Sequence, residues 1–249
     1  MGDKILETIG LTVQFGGFKA ISDLNFSVNQ GELRVILGPN GAGKTTLMDL
    51  ITGKTKPTSG RILYDNHEIS GMEPYQTAKL GIGRKFQNPH VFDNMTVMEN
   101  IEVAFRGFDR VFQALFYQKK ADIKDRIEHI LSTIGLKSKA DRMAANLSHG
   151  ERQWLEIGML LAQDPKLIIL DEPTAGMTAE ETYKTGELIL TVFKDRSVIV
   201  VEHDMAFVRQ ISNIVTVLHQ GKYLAEGPLA EIEQNAKVQE VYLKEDAHA

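Results

Sequence analysis

A chain of 249 residues, 43% hydrophobic and 24% charged, has ordinary globular composition and room for one large α/β domain or a core with a subdomain. Its formal net charge of −5 excludes a global basic footprint for nucleic acid, and the lack of cysteine excludes disulfides and thiolate zinc sites. The N-terminus, Met1-Gly-Asp-Lys, has no apolar h-region, and no apolar run approaches the roughly 20 residues that span a bilayer, so a membrane role is expected to come through a partner.

In chain order, Leu11–Phe15 and Leu24–Val28 flank Gly16-Gly17 and predict a small antiparallel sheet, closed by a turn at Asn29–Gly31. Leu33–Leu37 reads as a buried strand and Thr45–Ile51 as a helix. Between them, Gly38-Pro-Asn-Gly-Ala-Gly-Lys-Thr45 has the spacing Gly-x-x-x-x-Gly-Lys-[Ser/Thr] of a P-loop. Gly38, Gly41 and Gly43 allow backbone conformations that a Cβ forbids, so successive N–H groups can point at one anion at the start of a helix. Lys44 adds a full charge beside the β- and γ-phosphates, and Thr45 offers a hydroxyl to Mg²⁺. The loop from Gly38 to Thr46, with Asn40, Ala42 and Thr46, is the candidate nucleotide site.

Thr52–Gly60 reads as a loop, Arg61–Tyr64 as a strand, Pro74–Leu80 as a short helix and Gly81–Phe86 as a short strand. From about 90 to 166 no strand is predicted. Thr96–Phe105, Val111–Ile134 and Ser148–Leu161 read as helices of an inserted all-helical subdomain. The charges Lys119, Lys120, Asp122, Lys124, Asp125 and Arg126 read as a solvated face. Strand–helix alternation returns with strand 167–170, helix 179–193, strand 197–201, helix 204–211 and strands 214–218 and 222–226. Such alternation implies a mostly parallel sheet that binds ligands at its carboxyl edge. The organisation read from this is a nucleotide-binding core with a β subdomain over 1–87 and 166–227, a helical subdomain over 88–165 and a short tail over 228–249.

Leu167–Pro173 is an apolar strand ending in two carboxylates. Asp171 is placed to hold Mg²⁺, directly or through water, and Glu172 to take a proton from an attacking water. Ser148 and Glu151 have the spacing of a capping box at a helix start, which is also an anion site.

A P-loop, a helical insert, Leu147-Ser-His-Gly-Glu151 and an Asp-Glu strand, in this order, resemble an ATP-binding cassette (ABC) ATPase along essentially the whole chain. The resemblance implies a P-loop NTPase (RecA-like) fold, ATP and Mg²⁺ as cofactors, and ATP hydrolysis coupled to transmembrane transport. It implies that Gln87 contacts Mg²⁺ or the attacking water, that His203 contacts the γ-phosphate, and that Phe15, with Phe18 as second choice, stacks on adenine. It further implies a head-to-tail dimer in which Ser148 and Gly150 meet the ATP held by the other cassette's Lys44. Two positions depart from the family pattern. His149 and Glu151 stand where Leu-Ser-Gly-Gly-Gln has glycine and glutamine, and Ala175-Gly-Met-Thr178 replaces Ser-Ala-Leu-Asp, so the D-loop aspartate is absent. A different cassette as partner fits these departures, with a homodimer left open.

Phe15-Gly-Gly17, Gly83–Gln87 and Val201–Met205 resemble ATPases of branched-chain amino acid and amide importers, and Leu147–Pro165 with Ala175–Thr178 resembles the urea-importer ATPase most. Implied partners are integral permease subunits, with a periplasmic solute-binding protein acting through them and no nucleic acid; the implied place is the cytoplasmic face of the inner membrane. Phe92, Met95, Val97 and Met98, within Asn88–Glu99, are the candidate permease contacts. Exporter or lipopolysaccharide-transport ATPases share the catalytic residues, and a soluble non-transport ABC ATPase is the alternative of another class.

Overall fold

The structure, a computed structural model, describes residues 3–85, 90–106 and 119–246. A long hairpin opens the chain, β1 (Lys4–Phe15) and β2 (Phe18–Asn29) turning at Gly16-Gly17. It is longer than the sequence suggests. Register slips between Thr8 and Leu11 and again before Gln14 break the strict alternation that betrays a strand, and they bend the pair. Next come β3 (Leu33–Leu37), α1 (Lys44–Ile51), β4 (Ser59–Tyr64) and β5 (His67–Glu68). Strands β1, β2, β4 and β5 make one antiparallel sheet in the order β2-β1-β4-β5.

After α2 (Pro74–Lys79) and β6 (Ile82–Lys85) the chain enters the helical part, α3 (Val97–Arg106), α4 (Lys119–Thr133) and α5 (His149–Gln163). It returns through β7 (Leu167–Asp171), α6 (Ala179–Val192), β8 (Ser197–Val201), α7 (Met205–Ile211), β9 (Ile214–His219) and β10 (Lys222–Gly227), and ends in α8 (Leu229–Gln234) and α9 (Ala236–Asp246). The second sheet runs β10-β9-β3-β8-β7-β6, parallel throughout except for β10.

Both faces of the parallel sheet are buried, so β7 and β8 read as apolar runs, whereas β3 carries the buried Arg34 and β6 the buried Lys85. Ile36, Ile199 and Val201 face the antiparallel sheet and α1, whereas Val35, Leu37, Val198 and Val200 face α5, α6 and α7. A third core lies inside the helical part, around Val97, Ile101, Ile130, Leu131 and Leu155. Trp154, Leu161 and Leu188 pack against both the second and third cores and so join the helical part to the sheet. Gly83 permits this approach at the sheet's edge. A Cβ there would stand 3.0 Å from both Leu160 Cδ2 and Pro165 Cγ.

Candidate functional site

The strand order places the chemistry. β8 lies between β3 and β7, and Ile36, Val201 and Asp171 are level in register. The P-loop, the Glu202-His203 turn and the Asp171-Glu172 turn therefore leave neighbouring strands at one edge of the sheet.

The P-loop is shaped by what surrounds it. Gly43 has φ 99°, and a Cβ there would lie 2.7 Å from Ile21 Cδ1 and 2.8 Å from the Ala20 carbonyl. Residue 43 is thus wedged against β2, the strand that starts at Phe18. The hairpin turn carries Phe15 and Phe18 outward, 53% and 65% exposed. Lys44 Nζ donates to the carbonyls of Gly38 (2.6 Å) and Pro39 (3.0 Å), which holds the cation inside the loop. Ala42 is buried; Asn40, Gly41 and Thr45 lie at the surface, with Thr46 half-buried.

Asp171 is buried at the end of β7, where Arg84 Nη2 donates to its Oδ2 (2.7 Å) while Arg84 Nη1 donates to Asp49 Oδ1 of α1 (2.5 Å). One guanidinium thus fastens the strand-end carboxylate to the P-loop helix, the planar fork that arginine alone supplies. Thr45 and Asp171 are hard oxygen donors of the kind Mg²⁺ takes alongside phosphates, so the pair fits that cation. Glu172 sits at φ 46°, a left-handed backbone that is uncommon outside glycine and gathers at functional turns. Its N–H donates to the Val201 carbonyl (2.9 Å), and its Oε1 lies 3.6 Å from His203 Nδ1. His203 is 67% exposed, facing outward from the edge. Gln87 lies outside the described residues.

Glu202 organises both turns and is legible only in hindsight. Its buried carboxylate accepts from Thr174 Oγ1 (2.6 Å) and N (3.3 Å), and from the N–H groups of His203 (2.9 Å) and Asp204 (3.4 Å). Lys85 is also fully buried, 3.8 Å from Glu156 of α5. Burial lowers its pKa, and Glu156, Asp171 and Glu202 pull it back. The available signal was a charge inside a segment that otherwise reads as buried, since such a charge needs a partner.

Ser148 caps α5 as its spacing predicts: its Oγ accepts from Glu151 N (3.2 Å) and Glu151 Oε2 accepts from Ser148 N (3.1 Å). Glu151 does not present a bare negative charge there. Lys139 Nζ also holds its carboxylate, and although burial opposes, the Lys139 and Ser148 bonds keep its pKa below the usual range. The turn packs on Ala175–Glu181 of the same chain, through His149 Nε2 against the Ala175 carbonyl (2.9 Å). In the stretch expected to meet a permease, Val97 is fully buried on the inner face of α3, which removes it from a surface patch, while Met95 and Met98 are half-buried, Met98 against the helical core. Phe92 remains, 47% exposed.

The ABC transporter family model matches residues 21–175. The chain is similar to the high-affinity branched-chain amino acid transport ATP-binding protein LivG of Escherichia coli K12, 36% identical over 98% of this chain and all of that one. Among solved structures it is similar to an ABC transporter's ATP-binding cassette in its ADP conformation, at 31% identity and TM-score 0.82 over 96% and 98% of the two chains. It is also similar to a dimeric cassette in a post-hydrolysis state with ADP and Pi, at 25% identity and TM-score 0.77 over 90% and 98%. With its P-loop, strand-end carboxylates and helical insert on one frame, the chain belongs to the ABC transporter ATP-binding family and is an ABC ATPase.

Proposed function

We propose that this chain is the motor subunit of a membrane importer of the branched-chain amino acid and amide class. The observation that carries the reading is the meeting of Glu172 and His203 beside the P-loop and Asp171, in a chain similar to LivG over its whole length.

In this reading the amides of Gly38–Thr46 cradle the phosphates, and Lys44 exchanges the Gly38 and Pro39 carbonyls for phosphate oxygens. Phe15 offers its face to adenine, with Phe18 beside it. Thr45 and Asp171 would hold Mg²⁺, which when bound would supply charge neutralisation at the phosphates. Glu172 accepts the proton of a water as that water's oxygen bonds to the γ-phosphorus and the bond to the ADP oxygen breaks. His203 orients the Glu172 carboxylate and faces the γ-phosphate, and Gln87 contacts the cation or the water. Ser148 and Gly150 meet the phosphates held by a second cassette, so ATP closes the pair and hydrolysis reopens it.

The second cassette is a different chain in this reading, because both motifs that reach across are altered here. Permease subunits dock near Phe92, on the cytoplasmic side of the membrane, and a solute-binding protein acts through them. No helix among the described residues is long and apolar enough to cross a membrane. Within the class, Leu147–Pro165 and Ala175–Thr178 favour urea or short amides, whereas the likeness to LivG favours branched-chain amino acids. Uptake of labelled urea and leucine in a strain lacking this gene decides between them.

The test of the motor reading is Glu172→Gln. ATP binding is retained and turnover falls by about 10²–10⁴-fold, the usual worth of a general base. Light scattering with ATP and no Mg²⁺ then reads the assembly state, alone and with candidate partner cassettes. Turnover that survives the substitution refutes the role of Glu172. Failure of the trapped protein to associate with itself or with any cassette co-purifying from membranes refutes the closing pair.

A further inference from the structure

The two departures from the family pattern, at His149 and at Ala175–Thr178, touch each other. His149 Nε2 lies 2.9 Å from the Ala175 carbonyl. With its proton on Nε2 the imidazole donates to that carbonyl, and Gln153 Nε2 lies 3.3 Å from the same nitrogen. Gly176 makes room for the ring. It has φ 73°, and a Cβ there would stand 3.2 Å from the same nitrogen. A second contact backs the first. Glu181 of α6, whose Oε2 accepts from Thr178 N and Oγ1 (2.9 and 3.0 Å), closes against Gly150 so tightly that a Cβ at residue 150 would lie 2.4 Å from its Oε1.

The loop seized in this way is the one that follows Glu172. The Ala175 N–H donates to the Glu172 carbonyl (3.2 Å), and Glu202 holds Thr174 between them. Glu172 is therefore fixed from two sides. Glu202 fixes it from the sheet, and His149 fixes it from the first turn of α5, which belongs to the helical part.

We propose that His149 is a positioning residue that clamps the Glu172–Thr178 loop to the signature turn of its own chain, so that the placement of Glu172 follows the N-terminus of α5. The clamp links the two turns within one chain, and it accounts for the two altered motifs together, as ring and glycine of one contact. The inference deepens the reading of Glu172 and Ser148 above and rests on it.

The test is steady-state ATP hydrolysis by the full chain, with hydrogen exchange of the Ala175–Thr178 amides measured beside it. His149→Ala lowers kcat roughly tenfold while KM for ATP stays within about twofold, because the P-loop contacts are untouched and the loss is one of catalytic placement. Exchange at Met177, whose N–H bonds the Thr174 carbonyl at 3.1 Å, speeds up. His149→Gln, which keeps an N–H donor, recovers at least half of kcat. Gly176→Ala costs less in the His149→Ala background than in the native chain, since the ring it would strike is gone.

Unchanged kcat in His149→Ala, no recovery with glutamine, or additive effects of the two substitutions overturns the clamp. Faster exchange in His149→Ala, in a preparation whose ATP hydrolysis Glu172→Gln leaves intact, retains the contact and refutes the assignment of Glu172 instead.

Discussion

Lys85→Met isolates the buried charge that joins β6 to α5. The substitution keeps an unbranched side chain of similar length and removes the ammonium. Glu156, buried on α5, then loses a cation 3.8 Å away. At an effective dielectric of about 20, that separation corresponds to about 4 kcal/mol of attraction. Breaking one side of a buried pair costs about 3–5 kcal/mol in measured cases, and the low end, about 3 kcal/mol, is expected here because burial already penalises the Lys85 charge more than its neighbours support it. For a chain of this size that lowers Tm by about 10 °C.

Urea unfolding followed by circular dichroism reads the change as a shift in midpoint at constant m. Lys85→Met with Glu156→Leu removes both charges and returns to within about 1 kcal/mol of the native chain or above it. A single variant as stable as the native chain, or a double variant no better than the single, refutes the argument that Glu156 depends on Lys85.

Three further outcomes follow from contacts already described. Gly43→Ala drives a methyl into Ile21 and the Ala20 carbonyl at a positive φ, so nucleotide binding by isothermal titration is lost while far-ultraviolet dichroism stays native. Glu202→Gln keeps the shape but halves the acceptors offered to Thr174, His203 and Asp204; kcat falls several-fold with KM for ATP unchanged, and an unchanged kcat removes Glu202 from the account. Lys139→Ala raises the pKa of Glu151, whose carboxylate Lys139 helps keep ionised, and the shift is read by carbon-detected NMR titration between pH 3 and pH 6.

The nucleotide edge was legible because each part is local. Val35–Leu37, Ile168–Leu170 and Val198–Val201 are apolar runs closed at once by glycine or by carboxylates, and those runs lie in strands. The helix starting after Ser148 was legible because a capping box is written in four residues. What was illegible depends on distance along the chain. Arg84 reaches Asp49 and Asp171, 35 and 87 residues away, and nothing nearby marks it except its place in a buried strand. Whether Val97 faces a permease or the core was not legible, because the face of a helix turned inward is set by its neighbours α4 and α5. The hairpin was under-read because its bulges scatter the alternation, with Gly10 and Asp23 both at positive φ.

The chain contains a single tryptophan, and it stands at the seam between the helical part and the sheet. Trp154 Nε1 donates to Thr185 Oγ1 of α6 (2.9 Å), while its ring packs on both neighbouring cores. The molecule therefore carries an unlabelled optical gauge of that seam. Its emission reports on one hydrogen bond and one apolar wall, and on no other indole. If nucleotide shifts the helical part against the sheet, the wavelength and quenching of this one fluorophore register it in a cuvette, turnover by turnover.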